Sequence, residues 1–320
     1  MELGVWLFPS GPLHELLSAI ELAEAEGLDA VWLGDEGPTG WDPFVVAALA
    51  IPRTARIRFG VAVANPITRH PGVTAMLAAT LSEASGGRFA MLGFGAGGSL
   101  PLDPYGLRIH EPVETLRNCL ATARAVLTGE PSATYQRPPG ALSGPEVQLW
   151  VGARGPRMNK LASRVADGVF LSGIDSFQLP VVAGWARVER PVDVATYLTA
   201  CPDPALANEI LPGFVRSLSN GPVATIAALE VDPQRLTDAV EQLERGNKDP
   251  ARELMVGSVC DALVATGSPE HMAKLLVESV RSTAATSCGL ALVHRDLQRD
   301  VRAAAEAVRL ARLLLGVGSS

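Results

Sequence analysis

A chain of 320 residues with 48 % hydrophobic content and a formal net charge of −7 has enough apolar mass for a packed core. The same charge argues against a general nucleic-acid surface, which needs clustered cations. The longest apolar run, Phe44 to Ile51, falls well short of the roughly 18–20 residues that cross a bilayer, and Met1-Glu2 opens without a basic leader segment. The expectation is a cytoplasmic enzyme or binding protein, with neither membrane nor nucleic acid as partner.

Cys119, Cys201, Cys260 and Cys288 lie far apart with no Cys-x-x-Cys pair, so they suggest packing and neither a zinc site nor a disulfide framework. Only Lys160, Lys248 and Lys274 are lysines, so arginine supplies nearly all of the 27 cations. Arginine suits bidentate recognition of phosphate or carboxylate, although a coding bias gives the same count.

In chain order, strand and helix patterns alternate. Glu2 to Phe8 reads as a first strand, followed by a helix from about Pro12 that carries Leu13, Leu16, Leu17, Ile20 and Ala23 on one face and stops at Gly27. Asp29 to Gly34 is the second strand, and Asp42-Pro43 caps a second helix through Ile51. The third strand, Ile57 to Ala64, breaks at Asn65-Pro66, and its helix restarts at Pro71. The fourth, Arg88 to Phe94, opens into Gly93-Phe94-Gly95-Ala96-Gly97-Gly98, where backbone can approach a flat ring or phosphate with no Cβ in the way. A helix from Glu111 to Thr128 ends at Gly129, and Pro131 to Pro145 is a proline- and glycine-rich loop or hairpin.

The fifth strand is Val147 to Val151 and the sixth Gly168 to Leu171, each followed by a helix; the seventh is Val192 to Thr199. Pro202 to Asp261 then reads as helices with no strand, too long for a simple loop, and is taken as a helical insertion. A helix from Ser268-Pro269-Glu270 precedes the eighth strand, Gly289 to Val293. The last helix places Leu297, Val301, Ala304, Val308, Ala311 and Leu315 on one stripe.

Eight strand-helix units predict a single α/β domain over residues 1–320, a (β/α)₈ barrel with an insertion at about 202–261 between strands seven and eight. The rival, an open doubly wound sheet, lacks its dinucleotide fingerprint, because the glycines after strand four do not keep the Gly-x-Gly-x-x-Gly register. In a barrel the chemistry lies at the carboxyl ends of the strands. Asp35-Glu36 ends strand two, and Val151-Gly152-Ala153-Arg154-Gly155-Pro156 leads from strand five into a helix N-terminus fit for an anion, with Leu171-Ser172-Gly173 beside it. A tight turn without ligand is the plain alternative for both glycine segments. His70 and His294 sit near strand ends, where His70 also suits a helix cap. No Ser-His-Asp order, metal-ligand spacing or P-loop is present.

The segments Ala62 to Pro71, Ser85 to Phe89 and Gly93 to Gly98 together resemble the bacterial-luciferase-like superfamily, and most closely its branch related to methylenetetrahydromethanopterin reductase. The resemblance implies an oxidoreductase using a flavin-like cofactor, coenzyme F420 first and FMN as alternative, acting on a small-molecule substrate, within a homodimer. It implies a cis peptide at Ala62-Val63 against one face of the cofactor ring. Asp35, Asn65, Gly97 and Gly98 are implied near the ring. Gly152, Ala153, Arg154, Gly155, Ser172 and Gly173 are implied near the phosphate-bearing chain, with the missing Cβ of Gly152 leaving room for the ligand. Asp35 and Glu36 are the catalytic candidates; Glu36 stands where the branch carries histidine, and Trp6 where that reductase carries glutamate. These departures point away from the pterin itself and keep open a barrel that binds a ligand without catalysis; the superfamily also offers an FMN-dependent monooxygenase as an alternative.

Overall fold

A computed structural model describes residues 1–96, 102–139 and 146–317. Eight parallel strands close on themselves. They are β1 (Glu2–Leu7), β2 (Ala30–Leu33), β3 (Arg58–Ala64), β4 (Phe89–Gly95), β5 (Gln148–Gly152), β6 (Gly168–Leu171), β7 (Asp193–Cys201) and β9 (Ser287–Leu292). Closure is made by β6 on β7, β7 on β9 and β9 on β1. The ninth strand, β8 (Val264–Thr266), pairs only with the overhanging end of β7, Thr199 to Cys201, and lies outside the ring. That pairing also explains why β7 runs past the Thr199 expected from its pattern. Three residues, Val264-Ala265-Thr266, are too few to announce a strand by alternation.

Helices α1 (Leu13–Ala25), α2 (Pro43–Ala50), α3 (Pro71–Ala84), α4 (Pro112–Thr128), α5 (Pro156–Val165) and α6 (Leu179–Trp185) follow β1 to β6 in turn. Six helices lie between β7 and β8, from Pro204–Ile210 to Gly257–Asp261; those after the first gather around an apolar cluster of Val215, Leu218, Leu236, Ala239 and Leu254, while Leu206 and Ala207 of the first pack with Cys201 and Val264. Two long helices, Pro269–Thr283 and Leu297–Leu315, complete the ring. The starts are set by short polar side chains: Asp42 accepts hydrogen bonds from Phe44 N at 2.9 Å and Val45 N at 3.2 Å, and Asp296 accepts from Arg299 N at 3.0 Å.

Inside the barrel the aromatic residues need small neighbours. A Cβ on Gly168 would sit 2.5 Å from the Trp150 indole, and one on Gly60 would sit 2.9 Å from Trp32. Two strands therefore give up side chains so that two indoles can fill the middle of the barrel. Above them lie Trp6, Phe170 and Tyr197, with ring centroids 4.1 Å apart for Trp6 and Phe170 and 5.1 Å for Trp6 and Tyr197. The proline-rich loop after α4 contributes an isolated antiparallel bridge between Ser132 and Tyr135. All four cysteines are buried and unpaired.

Candidate active site

The C-terminal end of β2 sends two adjacent carboxylates in different directions. Asp35 is turned to α2 and α3: Arg69 Nε donates to Asp35 Oδ2 at 3.2 Å, and Arg69 Nη2 donates to Asp42 Oδ2 at 2.7 Å. The guanidinium also lies 5.5 Å from the centre of the Phe44 ring. Burial works against the Arg69 charge, but Asp42 and Asp35 more than offset it and raise its pKa. This trio borders a cleft of about 510 Å³ whose other wall includes Tyr105 and Leu107. Asp35, expected near a ring, thus has its carboxylate engaged by arginine.

Glu36 takes the inward direction. Its Oε1 lies 3.2 Å from the point where Gly34 would carry a Cβ, alongside Trp6 Nε1 at 3.4 Å and Phe8 Cδ1 at 3.3 Å. Burial, with the nearby Asp35 charge, pushes the Glu36 carboxyl above its ordinary range. A carboxyl held in this way keeps its proton to higher pH than a free glutamate does.

On β3 the Ala62-Val63 peptide is cis, as the resemblance implied. Neighbouring residues of a strand normally face opposite sides, yet Ala62 and Val63 both pack in the interior cluster, and the pairing with β4 is irregular between Val61 and Ala64. Val63 fills space that glycines leave. A Cβ on Gly93 or on Gly152 would each stand 3.0 Å from Val63 Cγ1. The sequence reading assigned the space over Gly152 to the ligand; the structure gives it to the Val63 side chain.

Asn65, 3 % exposed, closes the end of β3 against β4. Its Nδ2 donates to Ala96 O at 3.0 Å and its Oδ1 accepts from Ile67 N at 2.8 Å, so the side chain ties two strand-end loops together. Gly97 and Gly98 lie outside the described residues. His70 caps α3, its Nδ1 accepting from Gly72 N at 3.2 Å. His294, after β9, has its pKa lowered by burial, against the pull of Asp300 and Glu15.

The ends of β5 and β6 form one unit. Arg154 Nε donates to Ser172 O at 2.8 Å, and its guanidinium lies over Gly173, where a Cβ would meet Nη2 at 2.5 Å. Gly173 has φ +60°, a conformation suited to glycine, so both features require that residue. Ala153 is buried, whereas Gly155 has open space where a Cβ would stand. Gly155 caps α5 with no side-chain acceptor, leaving the first-turn N–H groups of Arg157 and Met158 without an intrahelical partner. These donors, the helix dipole and Arg154 concentrate positive potential in one corner, the chemistry that suits an anion.

Tyr197 is the site residue that sequence reasoning missed. It stands on β7 within reach of Arg154, Glu36 and Ser172, and burial is the main cause of its raised pKa. The signal for it was strand parity: Tyr197 alternates with Ala195 and Asp193 on the barrel face. Among the described residues no group of three His, Cys, Asp or Glu side chains could hold a metal ion, and no helix is long and apolar enough to cross a membrane.

The profile of the family described as luciferase-like monooxygenase matches residues 1–287. A 5,10-methylenetetrahydromethanopterin reductase of Methanolobus tindarius is 29 % identical over 290 residues, covering 84 % of this chain and 88 % of the relative. Among solved structures, the coenzyme F420-dependent tetrahydromethanopterin reductase of Methanopyrus kandleri superposes with a TM-score of 0.80 at 23 % identity, over 96 % of each chain. An F420-dependent secondary alcohol dehydrogenase in complex with an F420-acetone adduct gives a TM-score of 0.73 at 19 % identity, over 98 % of this chain and all of the other. At these identities the two structures speak for the fold.

Proposed function

The chain belongs to the luciferase-like monooxygenase family and is an oxidoreductase, and on that premise we propose that it uses coenzyme F420 to move a hydride to or from a small organic substrate at the C-terminal mouth of the barrel. One observation carries the reading: the mouth joins a corner that suits an anion to a protonatable carboxyl. The corner is Arg154 with the uncapped start of α5, and the carboxyl is Glu36. The residues fit such a cofactor. Gly155, Arg154, Ser172 and Gly173 would hold its phosphate-bearing chain, and Val63 would back its ring. The bound deazaflavin supplies the hydride chemistry. Glu36 holds or accepts the accompanying proton, Asn65 fixes the loops after β3 and β4, and Asp35 acts through Arg69 to set the loop after β2.

Trp6 is 3 % exposed within its aromatic cluster, so β1 offers no carboxylate here. This supports a substrate other than methylenetetrahydromethanopterin. We further read the chain as one domain, with the helices of 202–261 as an insertion beside the mouth. The unpaired cysteines suit a reducing, cytoplasmic setting. A homodimer is favoured by one face. Trp41, Val45, Leu49, Val73, Met76 and Leu77 are 37–59 % exposed, and α2 and α3 together carry a single charged residue, Glu83.

The test is titration of the purified protein with F420 and with FMN, followed by fluorescence and absorbance. Tighter binding of F420, with no oxygen consumption, is expected. Tight FMN binding without F420 binding would support the monooxygenase alternative, which the family description favours. Binding of neither would leave the non-catalytic alternative.

A further inference from the structure

In a closed ring of eight strands, β7 lies four places from β3 in either direction. Val63 on β3 and Tyr197 on β7 therefore stand on opposite sides of the barrel, both in its interior cluster. With Phe8 they are the partly exposed members of the interior cluster, whereas Trp6 and Phe170 beside them are sealed at 3 % and 2 % exposure. Among the described residues, Phe8, Val63 and Tyr197 thus make the apolar and aromatic part of the surface that a molecule entering the mouth meets, with the Glu36 carboxyl beside them. Of the three, only Tyr197 carries a polar atom.

The Tyr197 ring is held from the side and below. Its centroid is 5.1 Å from that of Trp6 and 5.6 Å from that of Phe170. Burial raises the phenol pKa; Arg154 and Ser172 pull it back in part, while the Glu36 charge adds to the rise. The phenol therefore stays protonated at neutral pH; the Ser172 hydroxyl bonds to the phenol oxygen, which leaves the phenol O–H to serve as a hydrogen-bond donor. Arg154 is engaged at the end of β6 by Ser172 O, on the side assigned to the cofactor's phosphate chain, and the Glu36 carboxyl is neutral or negative, so no further cation at the phenol calls for an anionic substrate.

We propose that Tyr197 is the substrate-orienting residue of this site: its phenol donates a hydrogen bond to the single acceptor atom of an uncharged, otherwise apolar substrate seated between Val63 and Tyr197. The inference rests on the proposed cofactor reading for the placement of the ring on the Val63 side. A site built to hydrogen-bond an acceptor discriminates strongly against an analogue lacking it, because the buried donor is then left without a partner.

The probes are cyclohexanone, which carries one acceptor, and methylenecyclohexane, which has the same shape without it. Binding to wild type and Tyr197→Phe is measured by quenching of tryptophan fluorescence, with and without F420. Wild type is expected to prefer the ketone at least tenfold, and Tyr197→Phe to lose most of that preference while its F420 affinity and melting temperature stay close to wild type. In wild type, the carbonyl stretch of bound cyclohexanone should move to lower wavenumber. This second measurement can overturn the proposal even if the variant fails to fold. An unchanged preference in Tyr197→Phe, or an unshifted carbonyl band, overturns the proposal. If wild type takes up neither F420 nor FMN, the cofactor reading fails on its own, and the ketone preference of cofactor-free protein still tests Tyr197.

Discussion

The Val63 side chain occupies the place where Gly152 would carry a Cβ, with Cγ1 3.0 Å from that point. The glycine at the end of β5 is therefore a packing partner of β3. Gly152→Ala should destabilise the fold by about 1–3 kcal/mol through overpacking. Val63→Ala alone should cost about 1 kcal/mol, since that side chain is only partly buried. In the double variant the methyl groups exchange places, and the combined loss should be smaller than the sum. Urea denaturation of the four proteins measures this coupling, and strict additivity would refute the contact.

Arg69 is held by two carboxylates, one of them the Asp35 side chain at 8 % exposure. Arg69→Met should cost about 1.5–3 kcal/mol, because hydrogen bonds to charged groups are lost while Asp35 stays shielded from water. Arg53→Met is the control. Arg53 pairs with Glu21 in the open, at 46 % and 41 % exposure, and its loss should fall within about 0.5 kcal/mol. Equal losses in the two variants, again by denaturation, would show that the Asp35 trio adds nothing beyond surface pairing.

The thiols offer a test of the interior. Burial pushes the Cys288 thiol up to about 12 and is the first cause of the rise of Cys201 to about 11; Cys119 and Cys260 shift the same way. Thiolate is the reactive form, so none of the four should be alkylated by iodoacetamide at about pH 8 in the folded protein. All four should react in denaturant. Mass spectrometry reads the number of adducts, and rapid labelling of any one site in native protein would contradict its burial.

The barrel was legible because strand and helix periods alternate cleanly and proline or aspartate marks the helix starts, as Asp42-Pro43 and Ser268-Pro269 do. The strand ends were therefore located to within a residue or two. Directions of side chains were not. Asp35 and Glu36 are adjacent in sequence, and only the Arg69 guanidinium, which arrives from beyond β3, decides that Asp35 turns outward. Gly152 looked like ligand space because its neighbour Val63 comes from another strand. Tyr197 went unnoticed since a lone aromatic in a buried strand carries no motif.

The apolar face of α2 and α3 gives a direct test of association. If two copies meet there, placing a charge at its centre should weaken the dimer at least tenfold, since an unpaired charge would be buried. Met76, 59 % exposed, is the position to change. Analytical ultracentrifugation of Met76→Glu should show monomer where wild type is dimeric, with the melting curve of the monomer little altered. Leu313→Glu, exposed at 69 % on the last helix, should leave the dimer intact. Dissociation by the second change and not the first would move the interface away from α2 and α3.

Glu36 supplies the last prediction, because its raised pKa has a definite sign. Burial, then the Asp35 charge, lifts the folded-state value above the ordinary one. Between the unfolded and folded values the folded chain binds more protons, so this residue lowers stability as pH rises through that window. Below the unfolded value, about 4.3 for glutamate, it exacts no penalty; above the folded value the penalty is complete. Glu36→Gln removes it. The melting temperature of the variant minus that of wild type should therefore be near zero at about pH 4, grow as pH rises through the window, and level off once pH passes the folded value. The same substitution should abolish any pH dependence of turnover that follows this carboxyl, without a matching loss of F420 binding. A variant that loses most stability at neutral pH would mean that the Glu36 carboxylate is favoured in its charged form, and its assignment as the proton-holding group would fall.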